Sequence, residues 1–165
     1  MDKEGNYMST FKNMMTKCLE IVCSVLFAFI TCVGTYQIVV RYVFNKPSTV
    51  SEELLTYSFT WLALLAAALV FGKKDHMRMS FIADKFKGKK AVSIGIVSEL
   101  LVMLFAALVL VYGGISITKL TTTQITASLG VNMSYIYMIL PICGVIIVVY
   151  SIINIAEYIK KFKEV

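Results

Sequence analysis

The 165-residue chain is too apolar for an ordinary soluble domain, because 58% of its residues are hydrophobic and its mean hydropathy is +0.78. Soluble chains are at most about half apolar, so the excess predicts burial in lipid. The formal net charge of +6 comes from basic residues that flank apolar runs. That placement argues against nucleic acid as a partner.

Four apolar segments reach the roughly 20 residues that a membrane-spanning helix needs. They cover about residues 18–40, 54–72, 91–112 and 133–156, which leaves no room for a soluble catalytic domain. The sequence therefore predicts an all-α integral membrane protein with four transmembrane helices and short amphipathic interfacial helices. Residues 1–165 would form a single membrane domain.

The basic residues are divided unequally between the two sides of this topology. Thirteen of the sixteen lie in the two tails or in the loop between spans two and three. The other side carries Arg41, Lys46 and Lys119. Cytoplasmic segments carry the excess of Lys and Arg, so we expect both termini in the cytoplasm.

The residue types that carry catalysis or bind metals are sparse. His76 is the single histidine, and the four cysteines fall within spans without metal-site spacing. We found neither a nucleophile–base set nor a Gly-rich phosphate loop. We therefore expect no enzymatic activity and no cofactor, catalytic residue, substrate site or metal site in this chain.

Before the first span, apolar residues recur at helical spacing between Phe11 and Val22, with Lys12 and Lys17 off that stripe. This pattern predicts an amphipathic lead-in that lies partly in the membrane interface. Arg41 follows the first span, where its side chain can snorkel to the outer interface.

The second span starts after turn residues 45–48. Thr49 and Glu52 have the spacing of a capping box, in which the glutamate reaches back to the Thr49 amide. Glu52 is thus expected to be a helix cap that faces water.

Glu53 shares a helix face with Tyr57 and Trp61 at positions i+4 and i+8. It could be a second solvated cap, or it could point at protein. In the latter case Arg41 is the candidate partner in an ion pair.

The segment after span two has the pattern of a short in-plane amphipathic helix over about residues 77–88. Its basic face predicts an anchor on anionic membrane lipids. His76 opens this segment and is read as a polar interfacial or helix-end residue.

Glu99 lies within span three, and a carboxylate inside a membrane is by default a functional-site hypothesis. The alternative is a protonated or paired glutamate that faces a neighbouring helix, or one within reach of Lys89 or Lys90. We favour the second account, because the other spans supply no proton relay.

The second outer loop is expected to include Gly113, Gly114 and the Thr-rich run 118–126. Tyr135 and Tyr137 would form an aromatic belt at the outer end of span four. Pro141 within that span predicts a kink or a late helix start.

The stretch 41–78 resembles the small membrane subunit, or Q subunit, of tripartite ATP-independent periplasmic (TRAP) transporters. The matching residues are Arg41–Asn45, Pro47-Ser48, Glu52-Glu53, Trp61, Ala66–Ala68 and Lys74–Arg78, with a second match at 129–135 and 140–141. Val50 stands where the family often has a tryptophan.

The resemblance implies one component of a Na⁺-driven importer of an organic acid, such as a C4-dicarboxylate or a sialic acid, in the bacterial inner membrane. A large multi-span permease would hold the substrate and Na⁺ sites, and an extracytoplasmic binding protein would deliver the substrate. The small subunit would brace the static scaffold, and the outer loops 41–53 and 113–132 would offer a docking surface. Arg41, Glu52, Glu53 and Trp61 would contact the permease or each other.

Two other function classes are alternatives to this one. One is an autonomous homodimeric four-helix exporter that uses Glu99 for proton coupling. The other is the membrane anchor of a redox enzyme, for which the sequence supplies no cofactor ligands.

Overall fold

The structure, a computed structural model, describes residues 3–73 and 89–164. Its helices are α1 (Lys3–Tyr42), α2 (Thr49–Lys73), α3 (Lys89–Phe105), a π-helical segment (Ala106–Gly113), α4 (Gly114–Leu120), α5 (Met133–Tyr137) and α6 (Ile139–Glu164). The described parts of the chain hold four stretches long and apolar enough to cross a membrane, namely Thr10–Tyr42, Thr49–Lys73, Val92–Leu120 and Met133–Ile159. The predicted all-α, four-span class is confirmed. His76 and the expected interfacial helix 77–88 lie outside the described residues.

Helix α1 is a single element of 40 residues, so the expected lead-in and the first span are continuous. At 1.5 Å per residue it is about 60 Å long. The hydrocarbon core of a bilayer is about 30 Å thick. Helix α1 must therefore tilt strongly or extend past the headgroups.

The third span continues to Leu120, so the expectation that Gly113 and Gly114 begin an outer loop is wrong. A Cβ on Gly114 would lie 2.8 Å from Cδ of Pro141. The glycine is therefore needed where spans three and four approach closely, and not for a turn. The outer loop between them is limited to residues 121–132.

Span four is broken at Met138, between α5 and α6, three residues before Pro141. Proline has no backbone N–H for the carbonyl four residues earlier, so a break here is the expected effect. The late start of the long helix follows from it.

Helix α6 is central, since it packs against α2, α3 and the π-helical segment. One buried cluster joins Leu65 of α2 to Cys143 and Tyr150 of α6. A second joins Ala68 to Ala106 and Ile147. Many large apolar side chains are exposed on the outside of the bundle, which suits a lipid environment. The polar side chains considered next lie toward the two ends of the bundle.

We call the end with residues 43–48 and 121–132 the loop end, and the end with the N-terminus of α1 and the C-terminus of α6 the termini end. At the loop end, Asn45 takes a left-handed conformation with φ 50°, which asparagine tolerates better than most residues. The turn predicted there is therefore present.

Candidate functional site

The most densely bonded side chain at the loop end is Glu53, in the second turn of α2. Its Oε2 accepts hydrogen bonds from the backbone amides of Ser128 and Leu129, both at 2.8 Å. Its Oε1 accepts one from the amide of Ala127 at 3.2 Å. The carboxylate thus receives three consecutive amides of a loop more than 70 residues away in sequence.

Tyr57 and Trp61 extend this connection along the same face of α2. The Tyr57 hydroxyl donates to Oε1 of Glu53 at 2.9 Å. The Trp61 indole N–H donates to the carbonyl of Ile136 at 3.1 Å. Ile136 lies in α5, next to the break in span four, where helical backbone bonding is interrupted. One face of α2 therefore holds both the outer loop and the short helix after it.

The loop 121–132 also contains backbone hydrogen bonds of its own. The Thr126 amide donates to the Val131 carbonyl at 2.8 Å, and the Met133 amide to the Gln124 carbonyl at 2.9 Å. Gly130 has φ +66°, a conformation that favours glycine. This tight return turns the amides of 127–129 toward one point, and successive amides arranged in this way form a concavity that suits an anion.

Neither environment expected for Glu53 is found. The carboxylate is bound to backbone amides and a tyrosine, and is neither a solvated cap nor a partner of Arg41. The Arg41 guanidinium lies instead 5.9 Å from the ring centroid of Tyr42. Of the two alternatives left open for Glu53, the side chain does point at protein, but its partner is a loop backbone that sequence spacing could not identify.

The helix cap is also different from the expected one. Ser48 Oγ accepts the Ser51 amide at 3.3 Å, so Ser48 is the N-cap in place of Thr49. Glu52 is exposed, as expected for a residue that faces water.

At the termini end, the side chain of Asn154 joins four helices. Its Oδ1 accepts from Lys12 Nζ of α1 at 2.7 Å, and its Nδ2 donates to Glu99 Oε1 of α3 at 3.1 Å. A longer contact of 3.5 Å runs from Nδ2 to the Phe71 carbonyl of α2. Asn154 is 1% exposed, so these partners replace water. Glu99 is thus paired with a neighbouring helix, in line with the favoured account, although through an asparagine.

Sequence reasoning did not single out Asn154 or the loop amides. A lone amide side chain within the apolar run of span four is a signal that could have identified Asn154, since buried polar groups need partners. The loop amides carry no signal in the residue types, because backbone N–H groups are common to almost every residue.

The chemistry available in the described residues is that of hydrogen bonding and helix packing. Within 3–73 and 89–164, no group of three or more His, Cys, Asp or Glu side chains is placed to hold a metal ion. The polar groups at both ends instead join helices and loops to each other.

Comparison with known proteins agrees with this architecture. The family described as "Tripartite ATP-independent periplasmic transporters, DctQ component" matches residues 30–161. The chain is 26% identical, over 93% of its length and 88% of the relative, to the sialic acid TRAP transporter small permease protein SiaQ of Vibrio cholerae. It is 25% identical, over 99% of its length and 96% of the relative, to a provisionally named TRAP transporter small permease protein of Haemophilus influenzae.

The family match covers well over half of the chain and includes the end of the first span and the other three spans. The chain therefore belongs to the DctQ family, as a small permease subunit of a TRAP transporter and a multi-pass protein of the bacterial inner membrane.

Proposed function

We propose that this subunit is a non-catalytic scaffold that braces the large permease of a Na⁺-driven importer. The observation that carries the proposal is the set of hydrogen bonds made by Glu53, Tyr57 and Trp61. These bonds join α2 to the outer loop and to α5 at the loop end of the subunit. A wall against which another protein moves must keep its own helices and loops in place. Bonds of this kind supply that rigidity.

The state of Glu99 favours the scaffold over the autonomous exporter. Glu99 accepts a hydrogen bond from the buried Asn154, which gives this carboxylate a structural role as a link between α3 and α6. In the proposed complex, the Na⁺ and substrate sites belong to the large permease, and this chain needs no cofactor.

The substrate of the proposed transporter is an organic acid. The Vibrio cholerae relative is named for sialic acid, which is a carboxylate sugar, and C4-dicarboxylates are the other class implied by the resemblance. The residues that select between them would lie in the partner subunits.

The proposal also assigns a role to the outer surface. The binding protein would dock on residues 41–53 and 121–132, which lie together at the loop end. Tyr42, Val43 and Phe44 are exposed on the first segment, and Ile125 and Val131 on the second. With both termini cytoplasmic, this end faces the periplasm, where the binding protein is located.

The direct test is extraction from native membranes in mild detergent with a tag on this chain, followed by mass analysis of the proteins that accompany it. We expect a larger multi-span permease at equal stoichiometry, and we expect vesicles that hold this chain alone to take up no substrate. A homodimer without a partner, or uptake by the isolated chain, would contradict the scaffold role and favour the exporter.

A further inference from the structure

A polar crevice of about 340 Å³ opens at the termini end, between α1, α2 and α6. It is separate from the Glu53 loop, and the scaffold role described above does not require it. Its lining consists of Lys12, Asn13, Thr16, Gly72, Lys73 and Glu157. Two ammonium groups and an amide can donate to a ligand here, a set that suits an anion with several oxygen atoms, and Glu157 places one carboxylate on the same lining.

The cationic groups are held at the crevice wall by other side chains. The Lys12 side chain is only 12% exposed, and its Nζ lies 2.7 Å from Asn154 Oδ1 and 3.9 Å from Glu157 Oε1. Lys73 Nζ lies 2.6 Å from Glu20 Oε1. Because these contacts orient the ammonium groups in advance, a ligand would lose less entropy in ordering them. An ammonium group can share its N–H donors between a carboxylate and a phosphate.

Thr16 and Gly72 line the crevice between the two lysines. The Thr16 hydroxyl donates to the Lys12 carbonyl at 2.8 Å and lies 3.1 Å from the hydroxyl of Tyr150, which is buried beneath Gly72. Since Gly72 has no side chain, α2 approaches the Tyr150 ring closely. The result is a wall without a bulky group between the two lysines.

The depth of the crevice indicates the source of the anion. Lys12 lies six residues before the apolar run 18–40, and Lys73 directly follows the apolar run 54–72. Both ammonium groups thus lie where the apolar segments end, at the level of lipid headgroups. We propose that this crevice binds a phosphate group, supplied by a phospholipid of the adjacent leaflet, with Lys12 and Lys73 as its cationic ligands.

The test uses the protein purified with any partner that accompanies it, stripped of native lipid. Native mass spectrometry then measures retention of added phosphatidylglycerol, with diacylglycerol as the ligand that lacks phosphate. Thermal unfolding with inorganic phosphate, against an equal concentration of chloride, tests the free anion. The variants are Lys73→Gln, Lys12→Gln, and the matched control Lys17→Gln, an exposed lysine of α1 outside the crevice.

We expect the wild-type protein to retain phosphatidylglycerol but not diacylglycerol. Loss of one charge-assisted hydrogen bond should reduce retention about tenfold in Lys73→Gln and Lys12→Gln. Lys17→Gln should bind like the wild type. Lys73→Arg, which keeps the charge, should restore most of the binding and guards against a variant that simply misfolds.

Two results would separate the sources of phosphate. Stabilisation by inorganic phosphate that is lost in Lys73→Gln, without retention of lipid, would support the phosphate site but identify a soluble ligand in place of the lipid. Equal lipid retention by the wild type, Lys73→Gln and Lys17→Gln, with no effect of inorganic phosphate, would overturn the proposal. Co-purification with a permease is not needed for either result, so this test can fail independently of the scaffold role.

Discussion

The carboxylate of Glu53 accepts the backbone amide of Leu129 at 2.8 Å, across 76 positions of sequence. This bond and its two neighbours join the start of the second span to the loop before the fourth. Within the Glu52-Glu53 pair, the first side chain is exposed, while the second is hydrogen-bonded to the loop. Two adjacent residues of the same type therefore have different roles.

The first prediction concerns this pair. Glu53→Gln removes a charged acceptor and places an amide N–H₂ toward backbone N–H donors, so it should destabilise the loop end by about 1–3 kcal/mol. Glu52→Gln is the matched control and should have a small effect. Hydrogen exchange at the amides of 127–129 measures the difference directly.

Charge reversal at the same two positions should follow the same order, with Glu53→Lys weakening co-purification of the permease more than Glu52→Lys. Equal, negligible effects of the substitutions at Glu52 and Glu53 would show that the bonds from Glu53 to the loop contribute nothing measurable.

The second prediction concerns the indole of Trp61. Trp61→Phe keeps most of the ring but removes the N–H that donates to Ile136, so it should cost about 1 kcal/mol. The loss should appear as a lower midpoint of thermal unfolding in detergent. Phe59→Leu, on an exposed face of the same helix, is the control and should leave the midpoint nearly unchanged. A Trp61→Phe protein as stable as the wild type would mean that the bond to Ile136 contributes nothing measurable.

The third prediction concerns the link between helices at the termini end. Asn154→Leu loses hydrogen bonds to two charged side chains, Lys12 and Glu99, and should destabilise the protein by about 2–4 kcal/mol. Ser151→Ala is the control on the same helix. Ser151 Oγ is buried and has no hydrogen-bond partner among the residues that the structure describes, so its removal should be neutral or slightly stabilising. The free energies of unfolding in a denaturant series provide the comparison, and a larger loss in Ser151→Ala would reject this account.

The fourth prediction separates a paired glutamate from a proton carrier. Glu99→Gln retains a side-chain oxygen that can accept from Asn154, but it cannot exchange a proton. Because the bond to Asn154 is kept, we expect substrate uptake in cells that hold the complete transporter to remain within about twofold of the wild type. A twofold ratio of rates corresponds to less than about 0.5 kcal/mol in activation free energy. Loss of transport by a Glu99→Gln protein that still assembles would instead favour proton coupling at this residue.

The fifth prediction concerns the close contact between α2 and α6. A Cβ on Gly72 would lie 2.6 Å from Cζ of Tyr150, so Gly72→Ala must displace a buried ring. Overpacking of this kind should cost about 1–3 kcal/mol. Gly113→Ala is the control, because its Cβ would lie 3.7 Å from the nearest atom, at an ordinary contact distance. If Gly72→Ala unfolds at the same temperature as Gly113→Ala, the Tyr150 ring can move aside without measurable cost.

The spans could be predicted from the sequence because a membrane imposes a length and a composition on each helix. Their ends were less predictable. Gly113 and Gly114 resemble turn residues by type, yet they lie inside a helix. At Gly114 the missing side chain leaves space for Pro141 of another span. Residue type alone does not distinguish these two uses of glycine.

The sequence by itself determined the four-span class, the exposed position of Glu52 and the face that Glu53 shares with Tyr57 and Trp61. Hydropathy and helical periodicity are local properties, so they can be read along the chain. The tertiary structure alone decided what that face contacts, and it brought Lys12, Glu99 and Asn154 together from three helices. Those partners are backbone amides or residues more than 50 positions away, and their positions depend on how the loop closes and how the helices pack.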